Sequence, residues 1–358
     1  MPEPIIGLIG CGTIGRFHSR NIRGVQRSER VPMAYTSLAD RESARTEAFA
    51  AITGANALFS DGAELIRDAA INTVYICTET AEHPSLLDEA AARGLHVFCE
   101  KPLARTLREV EEMVAAVERA GVINQVGLIL RTSPVFTVIR DLMADPGLGA
   151  LLTAHLRDDQ FFPVRGHYNS TWRGDVRRAG GGTLIEHSIH DVDLFRWLFG
   201  EIAAVRCHTR YVSGREGVED VALATFQHTD GHVTTLSSVW HDMGQRRSTR
   251  RLEVFFERGW FATDHDFLGP IEIQRGEDER MVMPVDEVFN HYASLLDLDE
   301  TEQQLARSGM YADYRFLQCV NQNEPAFPGF RTALEAHRVV DACYRSAAES
   351  REVRIVEP

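Results

Sequence analysis

Residues Ile5-Ile6-Gly7-Leu8-Ile9-Gly10-Cys11-Gly12-Thr13-Ile14-Gly15 decide the fold. The first five read as a short strand, and the GxGxxG spacing that follows opens a helix. Each glycine has a separate task. Gly10 permits the tight turn, Gly12 lets a pyrophosphate approach the backbone, and Gly15 brings helix and strand close. The helix N-terminus beginning at Thr13 and Ile14 favours negative charge, so the loop reads as a dinucleotide cradle. The next strand ends in Ala39-Asp40-Arg41. Asp40 is placed to accept hydrogen bonds from the adenosine ribose and to repel a 2′-phosphate, which favours NAD. Arg41 can hold that phosphate instead, so NADP stays open, or it simply begins the next helix.

Working outward, Ile5–Ile9, Val31–Ser37, Val74–Cys77, Leu95–Cys99 and Val122–Val126 read as strands. They alternate with helical stretches at Ile14–Gly24, Arg41–Ala51, Ala81–Arg93 and Leu107–Ala120. Such alternation implies βαβ units and a doubly wound parallel sheet. After Gly149 the segments become short, β-branched or aromatic, joined by Gly and Asp turns, as in a mainly antiparallel sheet. A helical block spans Thr183–Phe199 and a last helix spans residues 330–348. The expected organisation is a Rossmann domain over residues 1–130 and an α/β domain over residues 131–358, with the last helix packing back on the first domain.

The chain of 358 residues is 44% hydrophobic and 25% charged, enough for two cores, and its formal charge is −14. No basic excess exists to neutralise phosphates, which argues against nucleic acid and against an anionic membrane surface. No apolar run has transmembrane length. Six cysteines lie scattered without a CxxC pair, as in a reduced cytoplasmic protein.

Two further clusters carry chemistry. Glu100-Lys101-Pro102 closes an apolar strand, where ligands of open α/β sheets bind. A lone lysine before proline reads as a solvated turn; beside a dinucleotide loop it reads as a group facing the cofactor. The second cluster is Gly180-Gly181-Gly182-Thr183-Leu184-Ile185-Glu186-His187-Ser188-Ile189-His190-Asp191-Val192-Asp193. A continuous helix from Thr183 sets Glu186 and His190 one turn apart on one face, with Asp193 a turn later. That row suits proton transfer, His190 acting as base and a carboxylate orienting its ring. Metal binding by Glu186, His187 and His190 is disfavoured, because the spacing is not HExxH and the helix turns His187 away.

Together with Arg131, Ser133-Pro134, Trp172-Arg173, Arg196-Trp197-Leu198-Phe199-Gly200 and the closing helix from Thr332, these motifs resemble the Gfo/Idh/MocA family of NAD(P)-dependent oxidoreductases over nearly the whole length. The resemblance implies a second domain whose open sheet forms homodimers or homotetramers. It implies that Lys101 touches the nicotinamide ribose and the substrate hydroxyl, that His190 takes the hydroxyl proton, and that Pro102 is often cis. Glu186 stands where many members carry aspartate. Thr78 and His83 are expected beside the cofactor, with Glu100, Lys101 and Pro102. The implied substrate is a sugar, cyclitol or sugar derivative, lined by Arg131, Trp172, Arg173, Glu186 and His190, with Asp175, His167 and Tyr292 as further candidates. Arginines there suit a sugar acid, whereas Asp175 and His167 suit a neutral polyol. Two other functions fit the same residues: glycoside cleavage with transient NAD reduction, and NAD-responsive regulation without catalysis.

Overall fold

The structure, a computed structural model, describes residues 3–67, 70–166 and 168–355. It divides into two compact units, Met1–Leu128 with Glu300–Leu334, and Ile129–Asp299 with Glu335–Pro358. The segment 300–334, expected in the second domain, therefore belongs to the first unit.

The first unit holds six parallel strands: β1 (Ile5–Ile9), β2 (Ala34–Ala39), β3 (Ala57–Phe59), β4 (Thr73–Ile76), β5 (His96–Cys99) and β6 (Asn124–Val126), in the order β3-β2-β1-β4-β5-β6. This is the doubly wound order, and its direction reverses between β1 and β4, the place where such sheets take ligands. The central strands are covered on both faces, so Val74-Tyr75-Ile76 and Val97-Phe98-Cys99 are apolar without alternation and wholly buried. The helix Leu107–Ala120 starts at a capping box between Thr106 and Glu109 and stops at Gly121, whose φ is 64°. From the segment 300–334, the helix Tyr311–Gln322 sets Phe316 edge-on against Tyr75 and Phe98.

The second unit is built on nine strands: β7 (Leu151–Phe161), β8 (Ile202–Arg210), β9 (Val221–His228), β10 (Val233–His241), β11 (Thr249–Phe256), β12 (Gly259–Thr263), β13 (Ile271–Arg275), β14 (Met281–Met283) and β15 (Val353–Arg354). Their order is β14-β13-β12-β11-β7-β10-β9-β8-β15. Only β7 and β10 run parallel; every other pair is antiparallel. Along β9 and β10 burial alternates strictly, so one face is packed and the other open. On the packed face Phe195 meets Phe226 edge-on at 5.4 Å between centroids.

The expected helix Thr183–Phe199 is in fact two, Thr183–Glu186 and Ile189–Phe199. The break follows from hydrogen bonds to other elements. The Glu219 carboxylate accepts the N–H groups of Gly182 and Leu184. Ser188 donates its hydroxyl to Ser238 of β10 at 2.6 Å, and Thr183 bonds the same oxygen. With the Ser188 N–H drawn to the Thr183 carbonyl, the regular ladder ends and restarts. Glu186 and His190 thus do not share one helix face.

Candidate active site

The glycine loop shows why each glycine is required. Gly10 has φ +97°, and a Cβ there would lie 2.5 Å from the Cys77 carbonyl oxygen at the end of β4. A Cβ on Gly15 would fall onto the Gly10 carbonyl. Both positions are closed by packing. Gly12 differs, since a Cβ there meets no atom within 4 Å. It caps the helix Thr13–Ser28 without a side-chain bond, so the first-turn N–H groups beside it lack intrahelical carbonyls and remain donors for an anion.

Asp40 braces this loop, its Oδ2 accepting the Cys11 N–H at 2.8 Å and its Oδ1 the Glu42 N–H at 2.9 Å. An ionised carboxylate offers about four acceptor directions, which leaves capacity for ribose hydroxyls. Arg41 is exposed and pairs with Glu82 rather than capping the helix, which begins at Ser43.

On the same carboxyl edge, half-buried Lys101 follows β5 and its bond to Pro102 is cis. His83 is buried, with Nδ1 3.1 Å from the Pro102 carbonyl and Nε2 3.3 Å from that of Thr78. It ties the loop after β4 to the loop after β5, and burial holds its pKa down against the pull of those carbonyls. Thr78 lies half-buried in the first of these loops. Glu100, expected at the cofactor, turns its carboxylate inward: Oε1 lies 2.9 Å from His18 Nε2, and Oε2 accepts the Lys101 N–H at 3.1 Å.

In the second unit, Glu186 is buried and accepts from Arg173 Nε at 2.8 Å. Arg173 also donates to Ser170 and stacks 4.5 Å from the Trp172 ring. His190 sits in the first turn of Ile189–Phe199. Asp193 does not extend a row with His190, because both its oxygens take Arg131, at 2.8 and 2.7 Å. Arg131, expected at the substrate, is half-buried and paired with Asp193. His187 Nε2 lies 2.9 Å from Asp158, which with Asp191 flanks buried Arg250. Burial opposes ionisation of Asp158, yet Arg250 and His187 hold its pKa well down. Burial and the neighbouring Asp158 push the pKa of Asp191 well up, against the pull of Arg250. Asp175 caps the turn Val176–Ala179, and Tyr292 is buried with its hydroxyl donated to the Thr132 carbonyl. His167 lies outside the described residues.

Sequence reading missed His18, Asp313, Asp158 and Arg250. The one available signal was His18 standing in the buried stripe His18–Ile22–Val25 of its helix, a polar residue where the 3.6 period asks for an apolar one.

Residues 5–128 match the oxidoreductase family described as having an NAD-binding Rossmann fold, and residues 136–262 match the GFO/IDH/MocA C-terminal domain. The chain belongs to the Gfo/Idh/MocA family. It is 27% identical to inositol 2-dehydrogenase of Rhizobium meliloti (strain 1021), over 98% of each chain. It is 30% identical to 1,5-anhydro-D-fructose reductase of Ensifer adhaerens, over 63% of this chain and 66% of the relative. Levoglucosan dehydrogenase in complex with NADH and levoglucosan superposes with a TM-score of 0.87 at 20% identity, covering 99% of this chain and 100% of that one, a likeness of fold. This Gfo/Idh/MocA protein is accordingly a dehydrogenase acting on CH–OH groups, of an NAD-binding family. The open position at Gly12, the bare first turn and the acceptor capacity of Asp40 fit that cofactor. Among the described residues no helix is long and apolar enough to cross a membrane.

Proposed function

We propose that the protein oxidises a secondary hydroxyl of a sugar, cyclitol or sugar derivative, with Lys101 and His190 as the proton relay. The observation that carries the reading is the carboxyl edge of the first unit, where the open Gly12 position and Lys101 follow β1 and β5 of one sheet. Bound NAD supplies the hydride acceptor. Gly10–Gly15 hold the pyrophosphate and Asp40 the ribose, while Thr78 and the Glu100–Pro102 turn shape the nicotinamide end. Lys101 orients the substrate hydroxyl and His190 accepts its proton. Glu186, Arg173 and Trp172 present a polar wall to the other hydroxyls. The pairing of Arg173 with Glu186 and of Arg131 with Asp193 neutralises both arginines, which favours a neutral polyol over a sugar acid. The six buried free cysteines suit the reduced cytoplasm.

The test is a screen of cyclitols, aldoses and sugar acids for NADH formation, repeated with NADP. Neutral polyols with NAD are expected to turn over. A clear NADP preference would remove the role given to Asp40, and sugar release without net NADH would replace oxidation by glycoside cleavage. His190→Ala should lower kcat by about 10²- to 10⁴-fold with NAD binding intact; unchanged turnover counts against His190.

A further inference from the structure

Behind the Lys101 turn, within the first unit, lies a chain of buried ionised groups that the dehydrogenase chemistry does not itself use. His18 projects from the helix that begins at the glycine loop and is 1% exposed. Its Nδ1 lies 2.7 Å from Asp313 Oδ1 and its Nε2 2.9 Å from Glu100 Oε1. The other Asp313 oxygen accepts Asn21 Nδ2 at 2.7 Å, and the other Glu100 oxygen accepts the Lys101 N–H. The ring is closed off from water by Phe98 and Tyr75, at 4.7 and 5.6 Å between centroids.

A carboxylate only accepts, so a ring lying between two of them must donate from both nitrogens and is an imidazolium. Such charge-assisted bonds are about twice as strong as neutral ones and fix both partners in direction. The Glu100 carboxylate is held from three sides. His18 grips one oxygen, the Lys101 amide the other, and Gly127 packs so closely that a Cβ there would collide with the carboxylate. The position of the turn after β5 is therefore set by a strut that begins on the helix Tyr311–Gln322 and crosses the helix of the glycine loop.

We propose that His18 is a positioning residue for Lys101, holding Glu100 so that its second oxygen fixes the backbone of the Lys101–Pro102 turn. The inference rests on the reading of Lys101 as a relay group. Although burial alone lowers the pKa of a histidine, Asp313 and Glu100 together raise that of His18 to about 10, so the strut is charged throughout the neutral range.

Hydrogen exchange on the whole chain without cofactor reads the strut directly. In His18→Gln and in Glu100→Gln the Lys101 amide should exchange about ten-fold faster, while the helix Leu107–Ala120 keeps its protection. With a substrate from the screen, kcat should fall about ten- to a hundred-fold. The double variant should be no slower than the slower single, because either change breaks the same strut. Unchanged exchange at Lys101 in a folded variant overturns the proposal, as does faster exchange throughout the unit with kcat unaltered. If His18→Gln does not fold, Glu100→Gln alone decides, since it keeps the side-chain shape. Lys101→Ala with full turnover would sink the relay reading instead, and leaves the exchange result to judge the strut.

Discussion

Gly12 and Gly15 differ in what a methyl group would meet, and that difference separates binding from folding. Gly12→Val points into open space in an extended backbone conformation. It should leave the melting temperature nearly unchanged, a surface-like effect within about 0.5 kcal/mol, yet weaken NAD binding at least about ten-fold. Gly15→Ala would drive a methyl onto the Gly10 carbonyl and should cost about 1–3 kcal/mol of stability. Denaturant melts and equilibrium NAD titration on both variants check the pair. His18 makes a pH-dependent prediction. Its folded pKa is about 10 against 6.5 for the free group, so the folded state binds the extra proton. That stabilisation is complete below pH 6.5 and is lost as the pH climbs toward 10. The gap in melting temperature between wild type and His18→Gln should be widest below pH 6.5 and narrow steadily above it; a gap constant from pH 6 to 10 would show the ring is not an imidazolium.

At the scale of elements, periodicity identified what periodicity governs. Ile5–Ile9 and Leu107–Ala120 have the bounds the sequence suggested, because each carries a strong local pattern and, for the helix, a capping box. The strand Ala57–Phe59 was invisible: three residues at a sheet edge, two partly buried around exposed Leu58, are too short a pattern to read. The break at His187-Ser188 was invisible for another reason. The local sequence permits a continuous helix, and it is Glu219 and Ser238, far along the chain, that engage Gly182, Thr183, Leu184 and Ser188 and interrupt it. Ser238→Ala removes the oxygen that both buried hydroxyls share and should cost about 1–3 kcal/mol, read as a lower denaturation midpoint with an unchanged m-value. A midpoint equal to wild type would mean that the turn does not depend on that oxygen.

At the scale of the whole molecule, the nine-stranded sheet leaves one face uncovered, with Leu223 and Val233 exposed there beside Arg206 and His208. We propose that this face joins copies into a homodimer or homotetramer; light scattering should show the oligomer, and Leu223→Arg should shift it toward monomer, whereas a wild-type monomer would refute it. The sequence by itself determined the doubly wound unit, the NAD loop and the family, because these rest on local patterns: a strand, three glycines at fixed spacing, a helix. It also singled out Glu100-Lys101-Pro102. Only the tertiary structure decided what stands behind that turn. Glu100 reaches His18 across 82 positions and His18 reaches Asp313 across 295. Likewise Arg131 finds Asp193 across 62. A buried charge must find its partner wherever the fold brings one, and no spacing in the sequence records which one that is.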